Sequence, residues 1–321
     1  MRIVFMGTPE FAVPSLYKLI MAGNDVALVV TQPDRPRGRG RRVMASPVKT
    51  LAEEFGLPVF QPSRLKDPDA IKEICLQEPE LIVVVAYGQI LPPELLSYPR
   101  YGCINLHASL LPAYRGPAPI QRAIMAGETV TGVTTMYMEE TLDTGDIILR
   151  REVPIEAEIT FGELSERLAE IGGGLVLDTV EQIQWGAAPR IPQDESQVSY
   201  APLLKPEDEV IDWSKSAVQI FNQLRALNPR PGAYTLINGV KVKIFRGRVV
   251  EDSSQGKAGR VVEVINQEGF VVQTGQGRLL VLEVQREGRK KLSGRDFLKG
   301  FTVTPGMELG TGEDSPVCGT P

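Results

Sequence analysis

The stretch Asn105-Leu106-His107-Ala108-Ser109-Leu110-Leu111-Pro112 holds the only histidine among 321 residues, His107. If this chain moves protons near neutral pH, that imidazole is the one side chain whose ordinary titration range suits the task. The apolar run ahead of it predicts a strand, and along a strand side chains two apart project from the same face. Asn105 and His107 therefore point the same way, so a hydrogen-bonding amide and a titratable ring share one site. A third polar residue follows downstream, where Gly132-Val133-Thr134-Thr135-Met136 leads to Leu142-Asp143-Thr144-Gly145-Asp146. The glycine there lets a loop carry the Asp143 carboxylate into a cleft, although aspartate in such a turn also serves simply to form it.

Other chemistries are excluded early. Met6-Gly7-Thr8-Pro9-Glu10 lies where a dinucleotide-binding fold carries its glycine-rich fingerprint, but holds one glycine followed closely by proline. One histidine, with Cys75, Cys103 and Cys318 far apart, builds neither a usual zinc site nor a disulfide framework, so no metal is expected.

The elements that must position these residues alternate in residues 1–189. Arg2–Met6, Asp25–Val30, Leu81–Ala86 and Gly102–His107 have strand character, and Glu10–Met21 has helical periodicity ended by Gly23. Such alternation predicts an α/β domain with a mostly parallel sheet. Ser46-Pro47 is a helix start closed by Gly56, which leaves Thr31–Ala45 as a long insertion. A helix is expected from Phe161 to Trp185, interrupted or loosened at Gly172-Gly173-Gly174, and residues 190–206 are expected to be a linker. In 207–310 a short helix precedes glycine-broken alternating runs, which predict a small antiparallel β-barrel. Residues 311–321 are expected to form a tail.

Composition is that of a globular chain, 42% hydrophobic and 23% charged. The longest apolar run, Leu81 to Tyr87, is too short to cross a bilayer. With no signal-peptide pattern at the start, the cytoplasm is the expected location. Net charge is −5, yet Arg35-Pro36-Arg37-Gly38-Arg39-Gly40-Arg41-Arg42 places five arginines in eight positions. Residues 207–310 hold sixteen basic against twelve acidic side chains. That asymmetry marks polyanion-binding faces or solvated loops.

Taken together and in this order, the motifs resemble the folate-dependent formyltransferase family, which pairs Asn-x-His-x-Ser-Leu-Leu-Pro with a downstream Leu-Asp-x-Gly. Gly7-Thr8-Pro9-Glu10-Phe11, Thr31-Gln32-Pro33-Asp34-Arg35-Pro36, Val84-Val85-Ala86-Tyr87-Gly88 and Ile211-Asp212-Trp213 extend the likeness over nearly the whole length. It departs at Asn228-Pro229-Arg230-Pro231, where relatives often carry tryptophan in place of the arginine.

The resemblance implies a Rossmann-like formyltransferase domain over 1–189 and an OB-like barrel that binds tRNA over 207–310. It implies transfer of a formyl group from 10-formyltetrahydrofolate to the α-amino group of methionine on initiator tRNA. An α-amino group titrates near ~8, so neutral amine is available at pH 7 and oxyanion stabilisation is the larger demand. By resemblance, Asn105 and His107 are donors to that oxyanion. Asp143 either favours the imidazolium or accepts the amine's proton, and both roles need the same residues in reach. Ser109, Leu110, Leu111 and Pro112, with Ala86, Tyr87 and Gly88, resemble the folate-contacting segments. Arg35, Arg37, Arg39, Arg41 and Arg42 are expected at the tRNA acceptor end, since proteins read RNA best at exposed, unstacked ends. A monomer suffices. The rival acceptors are a sugar-nucleotide amine, a purine precursor or water, and the rival outside catalysis is a tRNA-binding or folate-sensing protein. The arginine insertion favours tRNA among acceptors, and retention of Asn105, His107 and Asp143 favours an enzyme.

Overall fold

The computed structural model describes residues 1–37, 42–250 and 256–310. These fall into two compact units, the first formed by 1–120, 129–155 and 163–202, the second by 121–128, 156–162 and the chain from 203 onward.

The first unit opens with β1 (Arg2–Gly7), a 3-10 turn at Glu10–Ala12, α1 (Val13–Met21) and β2 (Asp25–Val30). The insertion contains a hairpin, β3 (Arg35–Arg37) and β4 (Arg42–Met44), ahead of α2 (Pro47–Glu54) and β5 (Val59–Phe60). Next come α3 (Pro68–Cys75), β6 (Leu81–Val85), α4 (Pro93–Ser97), β7 (Cys103–His107) and α5 (Pro119–Ala126), whose latter part belongs to the second unit. β8 (Val130–Tyr137), β9 (Ile147–Pro154) and α6 (Phe161–Gln184) complete the series.

Among the described residues these strands form one seven-stranded sheet in the order β5-β2-β1-β6-β7-β8-β9. The first five run parallel and the last two pairings are antiparallel. All five residues of β6 are buried, as expected for a central parallel strand covered on both faces. Fully burying one such valine, leucine or isoleucine contributes about 1.5–3 kcal/mol.

The Gly172-Gly173-Gly174 triplet does not interrupt α6, which is continuous from Phe161 to Gln184. A Cβ on Gly172 would lie 2.6 Å from Leu106 Cδ2, and one on Gly173 2.9 Å from the Pro14 backbone. These glycines let the helix lie close against β7 and the start of α1, and that packing outweighs their poor helix propensity. Leu106 thus faces α6, which turns Asn105 and His107 to the other side.

Residues after α6 also belong to the first unit. Ile191 bridges Ile147, Tyr200 bridges Arg115, and Ala201 is buried.

The second unit contains α7 (Ala217–Ala226), β10 (Ala233–Ile237), β11 (Val240–Val250), β12 (Val261–Ile265), β13 (Gly269–Gln273), β14 (Arg278–Arg286), β15 (Leu292–Ser293) and α8 (Gly294–Gly300). The strands run antiparallel in the order β10-β11-β14-β13-β12, with β15 on β14. Leu309 bridges Ile237 of β10 and Glu308 bridges Arg260 at the head of β12, so one short segment joins the two outer strands. Ile220, Ile244, Phe270, Leu279, Val281 and Phe297 form its core. Among the described residues no helix is long and apolar enough to cross a membrane.

Candidate active site

The parallel strands β1, β6 and β7 end at one edge of the sheet, and the polar residues singled out from the sequence gather there. Asn105 is half-buried on β7, and its amide has no hydrogen-bond partner among the described residues. His107 follows on the same face with 6% exposure.

Beyond His107 the chain turns sharply. Leu111–Pro112 is a cis bond, and Tyr114 adopts φ 60°, a left-handed conformation that a non-glycine residue holds only when its surroundings impose it. The Tyr114 carbonyl oxygen lies 2.9 Å from His107 Nε2. A carbonyl only accepts, so Nε2 carries the hydrogen and Nδ1 is the nitrogen left for a substrate.

Asp143 is brought to that nitrogen. Its loop follows β8, with Asp143 itself left-handed at φ 57° and 7% exposed, and its Oδ2 lies 3.7 Å from His107 Nδ1. The same oxygen accepts the Gly116 N–H at 2.8 Å. A distance of 3.7 Å is too long for a direct hydrogen bond, so Asp143 Oδ2 and His107 Nδ1 face each other across a gap that a hydrogen brought by an amine or water can bridge. Gly145 is required beside it, since a Cβ there would lie 1.9 Å from the Tyr137 carbonyl oxygen.

The segments expected at the folate are held rigidly. Ser109 Oγ donates to the Ala113 carbonyl at 2.6 Å, while Thr134 Oγ1 donates to the Ser109 carbonyl at 2.7 Å and accepts the Leu111 N–H at 3.2 Å. Leu111 is buried with Met136 and Ile147, whereas Leu110 is half-buried beside Gly132. Tyr87 sends its ring into the core with Val4, Leu65 and Leu95, and burial pushes its phenol up to about 12. Its backbone is what reaches the sheet edge. The Tyr87 carbonyl accepts from Thr8 Oγ1 at 3.1 Å and Gln32 Nε2 at 3.3 Å, tying together the turns after β1, β2 and β6. Ala86 at φ 47° and Gly88 at φ 89° flank it.

The arginine insertion is fastened at its base. Thr31 Oγ1 and Ser46 Oγ, both buried, meet at 2.7 Å, and Lys49 Nζ bonds Asp34 Oδ2 at 2.7 Å and Gln61 Oε1 at 3.0 Å. The Lys49 ammonium holds the Asp34 carboxyl below the usual carboxylate range. Arg35 is exposed and reaches Gln32 Oε1 at 3.4 Å, and the backbones of Arg37 and Arg42 pair across the hairpin. Arg39 and Arg41 lie outside the described residues. Among the described residues no group of three His, Cys, Asp or Glu side chains is placed to hold a metal ion.

Sequence reasoning missed the Tyr114 carbonyl, the Gly116 N–H and two side chains behind them, Arg115 and Gln193. Backbone groups leave no mark in residue type, and Gln193 sits in a stretch without periodicity.

Residues 1–180 match the formyl transferase family, and residues 203–302 match the formyl transferase C-terminal domain. The chain belongs to the formyl transferase family. This formyl transferase is 56% identical to methionyl-tRNA formyltransferase of Moorella thermoacetica over 310 residues, 97% of this chain and 99% of the relative. Identity to the enzyme of the same name from Geobacter sulfurreducens is 47%, covering 97% of each chain. Among solved structures, HypX from Aquifex aeolicus in complex with tetrahydrofolic acid superposes with a TM-score of 0.65 at 22% identity over 94% of this formyl transferase. That protein is longer, and 48% of it is spanned. Methionyl-tRNA formyltransferase from Clostridium thermocellum gives a TM-score of 0.55 at 18% identity, covering 78% and 94% of the two chains. At those identities the likeness speaks for the fold, a mostly parallel α/β sheet followed by an antiparallel sheet.

Proposed function

We propose that this chain transfers the formyl group of 10-formyltetrahydrofolate to the α-amino group of methionine on initiator methionyl-tRNA, giving formylmethionyl-tRNA for translation initiation. Family membership and the shared name of relatives at 47–56% identity support the reaction. The observation that carries the chemistry is the Asn105 amide, without a partner among the described residues, on the same face as His107, whose Nδ1 faces the Asp143 carboxylate at 3.7 Å.

Asn105 supplies an N–H to the oxygen of the formyl carbon as the amine adds to it, where stabilisation is worth most. His107 takes up the amine's proton at Nδ1, since Tyr114 occupies Nε2. Asp143 stabilises the imidazolium so formed, which then delivers the proton to N10 as the bond between N10 and the formyl carbon breaks. Backbone groups of residues 86–88 and 109–112 are the donors and acceptors offered to the pterin. We assign Arg35, Arg37, Arg39, Arg41 and Arg42 to the tRNA acceptor end, and the barrel to the tRNA backbone.

Cations on the barrel sit over aromatic rings, with the half-buried Lys241 Nζ 3.6 Å from the Tyr234 ring centre and the exposed Lys291 Nζ 3.7 Å from that of Phe245. Such charges remain available to phosphates. The test is direct: incubate the protein with 10-formyltetrahydrofolate and charged initiator tRNA, offering a dTDP-amino sugar in parallel. Formylmethionyl-tRNA is the expected product. Transfer to the sugar alone, or to neither, would overturn the proposal.

A further inference from the structure

Residues 114 and 116 both touch the site. Tyr114 gives its carbonyl to His107, Gly116 gives its N–H to Asp143, and Arg115 between them points away into the protein with only 3% exposure. Its guanidinium finds Gln193, whose Oε1 accepts from Nε at 3.0 Å and from Nη2 at 2.8 Å. Nη2 and Nη1 also donate to Glu195, at 2.8 and 3.3 Å.

Gln193 is fully used at its other end. Its Nε2 donates to the Asp143 carbonyl at 2.9 Å and to the Gly145 carbonyl at 2.8 Å, the two backbone oxygens that flank Thr144. The amide can face only one way here, because guanidinium hydrogens demand its oxygen and carbonyls demand its nitrogen. The chain around it is pinned as well: Ser199 Oγ accepts the Tyr114 N–H at 2.9 Å, the Ser199 carbonyl accepts the Arg115 N–H at 2.8 Å, and Ala201 N–H donates to the Arg115 carbonyl at 2.7 Å.

We propose that Gln193 is a positioning residue for formyl transfer, clamping the turn that orients His107 to the loop that carries Asp143 and so setting the gap between Nδ1 and Oδ2. The assignment rests on the proposed reaction at this site. Both flanking residues are left-handed, Tyr114 at 60° and Asp143 at 57°, so neither segment holds its conformation by local preference. One side chain bonds both segments at once. Without it Arg115 loses its acceptor at Gln193 and two carbonyls lose their donor together, and the Gly116 N–H to Asp143 bond is left to hold the two halves of the site.

Two variants separate the parts of this clamp. Gln193→Glu keeps an acceptor for Arg115 but loses both donors to the Asp143 loop, and Gln193→Met keeps the length and loses every hydrogen bond. For each, kcat is expected to fall about 10–100-fold with KM for tRNA and folate within about twofold, because a displacement near 1 Å costs rate rather than affinity. The single histidine gives a readout independent of activity. In untagged, substrate-free protein the His107 Nδ1 nitrogen resonance is expected to move in both variants, with thermal unfolding still cooperative. A kcat within about twofold of the parent, a loss confined to KM, or an unmoved His107 resonance would each overturn the assignment. If the parent itself formylates no tRNA, the proposed reaction fails, while the resonance still tests the clamp.

Discussion

The sheet edge around His107 and the β-barrel solve opposite problems with the same twenty residue types. At the edge, polar groups are buried and nearly all are spoken for: Ser109, Thr134, Asp143 and the Nε2 of His107 each have a partner within the protein. Among the described residues the amide of Asn105, the Nδ1 of His107 and the Oδ1 of Asp143 have no hydrogen-bond partner. In the barrel most of the interior is apolar, built on Phe270, Leu279 and Val281, with the buried Thr235 and Gln273 bonded within the protein, and Lys241 and Lys291 lie over aromatic rings. Fixed geometry suits a group that must act within tenths of an ångström, whereas displayed charge suits a long, flexible polyanion.

The comparison breaks first at the site, where the largest effects are expected. His107→Ala and Asn105→Ala should each lower turnover about 100-fold or more, with tRNA affinity near that of the parent in a binding titration. A comparable loss of tRNA affinity would erase the division between the two regions.

Core and surface of the barrel should then part company. Leu279→Ala should cost about 2–5 kcal/mol in a denaturant titration, because it empties a fully buried site. Lys241→Gln paired with Lys291→Gln should cost no more than about 1–2 kcal/mol, the loss of two cation–π contacts, while raising KM for tRNA.

Neutralising Arg39, Arg41 and Arg42 should raise KM for tRNA and flatten its salt dependence by roughly one unit of slope per lost phosphate contact. An unchanged slope would return the insertion to the role of a solvated loop.

The smallest effect expected is in the second unit's own ion pair. Arg122 meets both Asp208 oxygens, at 2.9 and 2.7 Å, and holds that carboxyl below the usual range. A depressed carboxyl contributes stability above its unfolded value and loses it as pH falls through the folded one. Asp208→Asn should therefore cost about 1 kcal/mol at pH 7, with the penalty vanishing in acid below the ordinary carboxylate range.

Much of this was legible in the chain because the signals were local. Leu81–Val85 is apolar without alternation, Ser46-Pro47 is a capped start whose serine accepts the Lys49 N–H, and Asn105 and His107 share a face by strand periodicity alone. Asp143 could be singled out because a glycine follows it closely. The glycines of α6 were misleading, since helix propensity points to a break where the need for close packing on Leu106 prevails. The clamp at Gln193 was out of reach for a different reason. It joins residues 50 and 78 positions apart, and its partners on the Asp143 side are backbone carbonyls that every residue possesses.

The most direct measurement is single-turnover formylation of charged initiator tRNA by the parent and by His107→Ala, with saturating 10-formyltetrahydrofolate. A parent that produces formylmethionyl-tRNA and a variant slower by about 100-fold or more is the predicted result. A variant that transfers the formyl group at the parent's rate would contradict it.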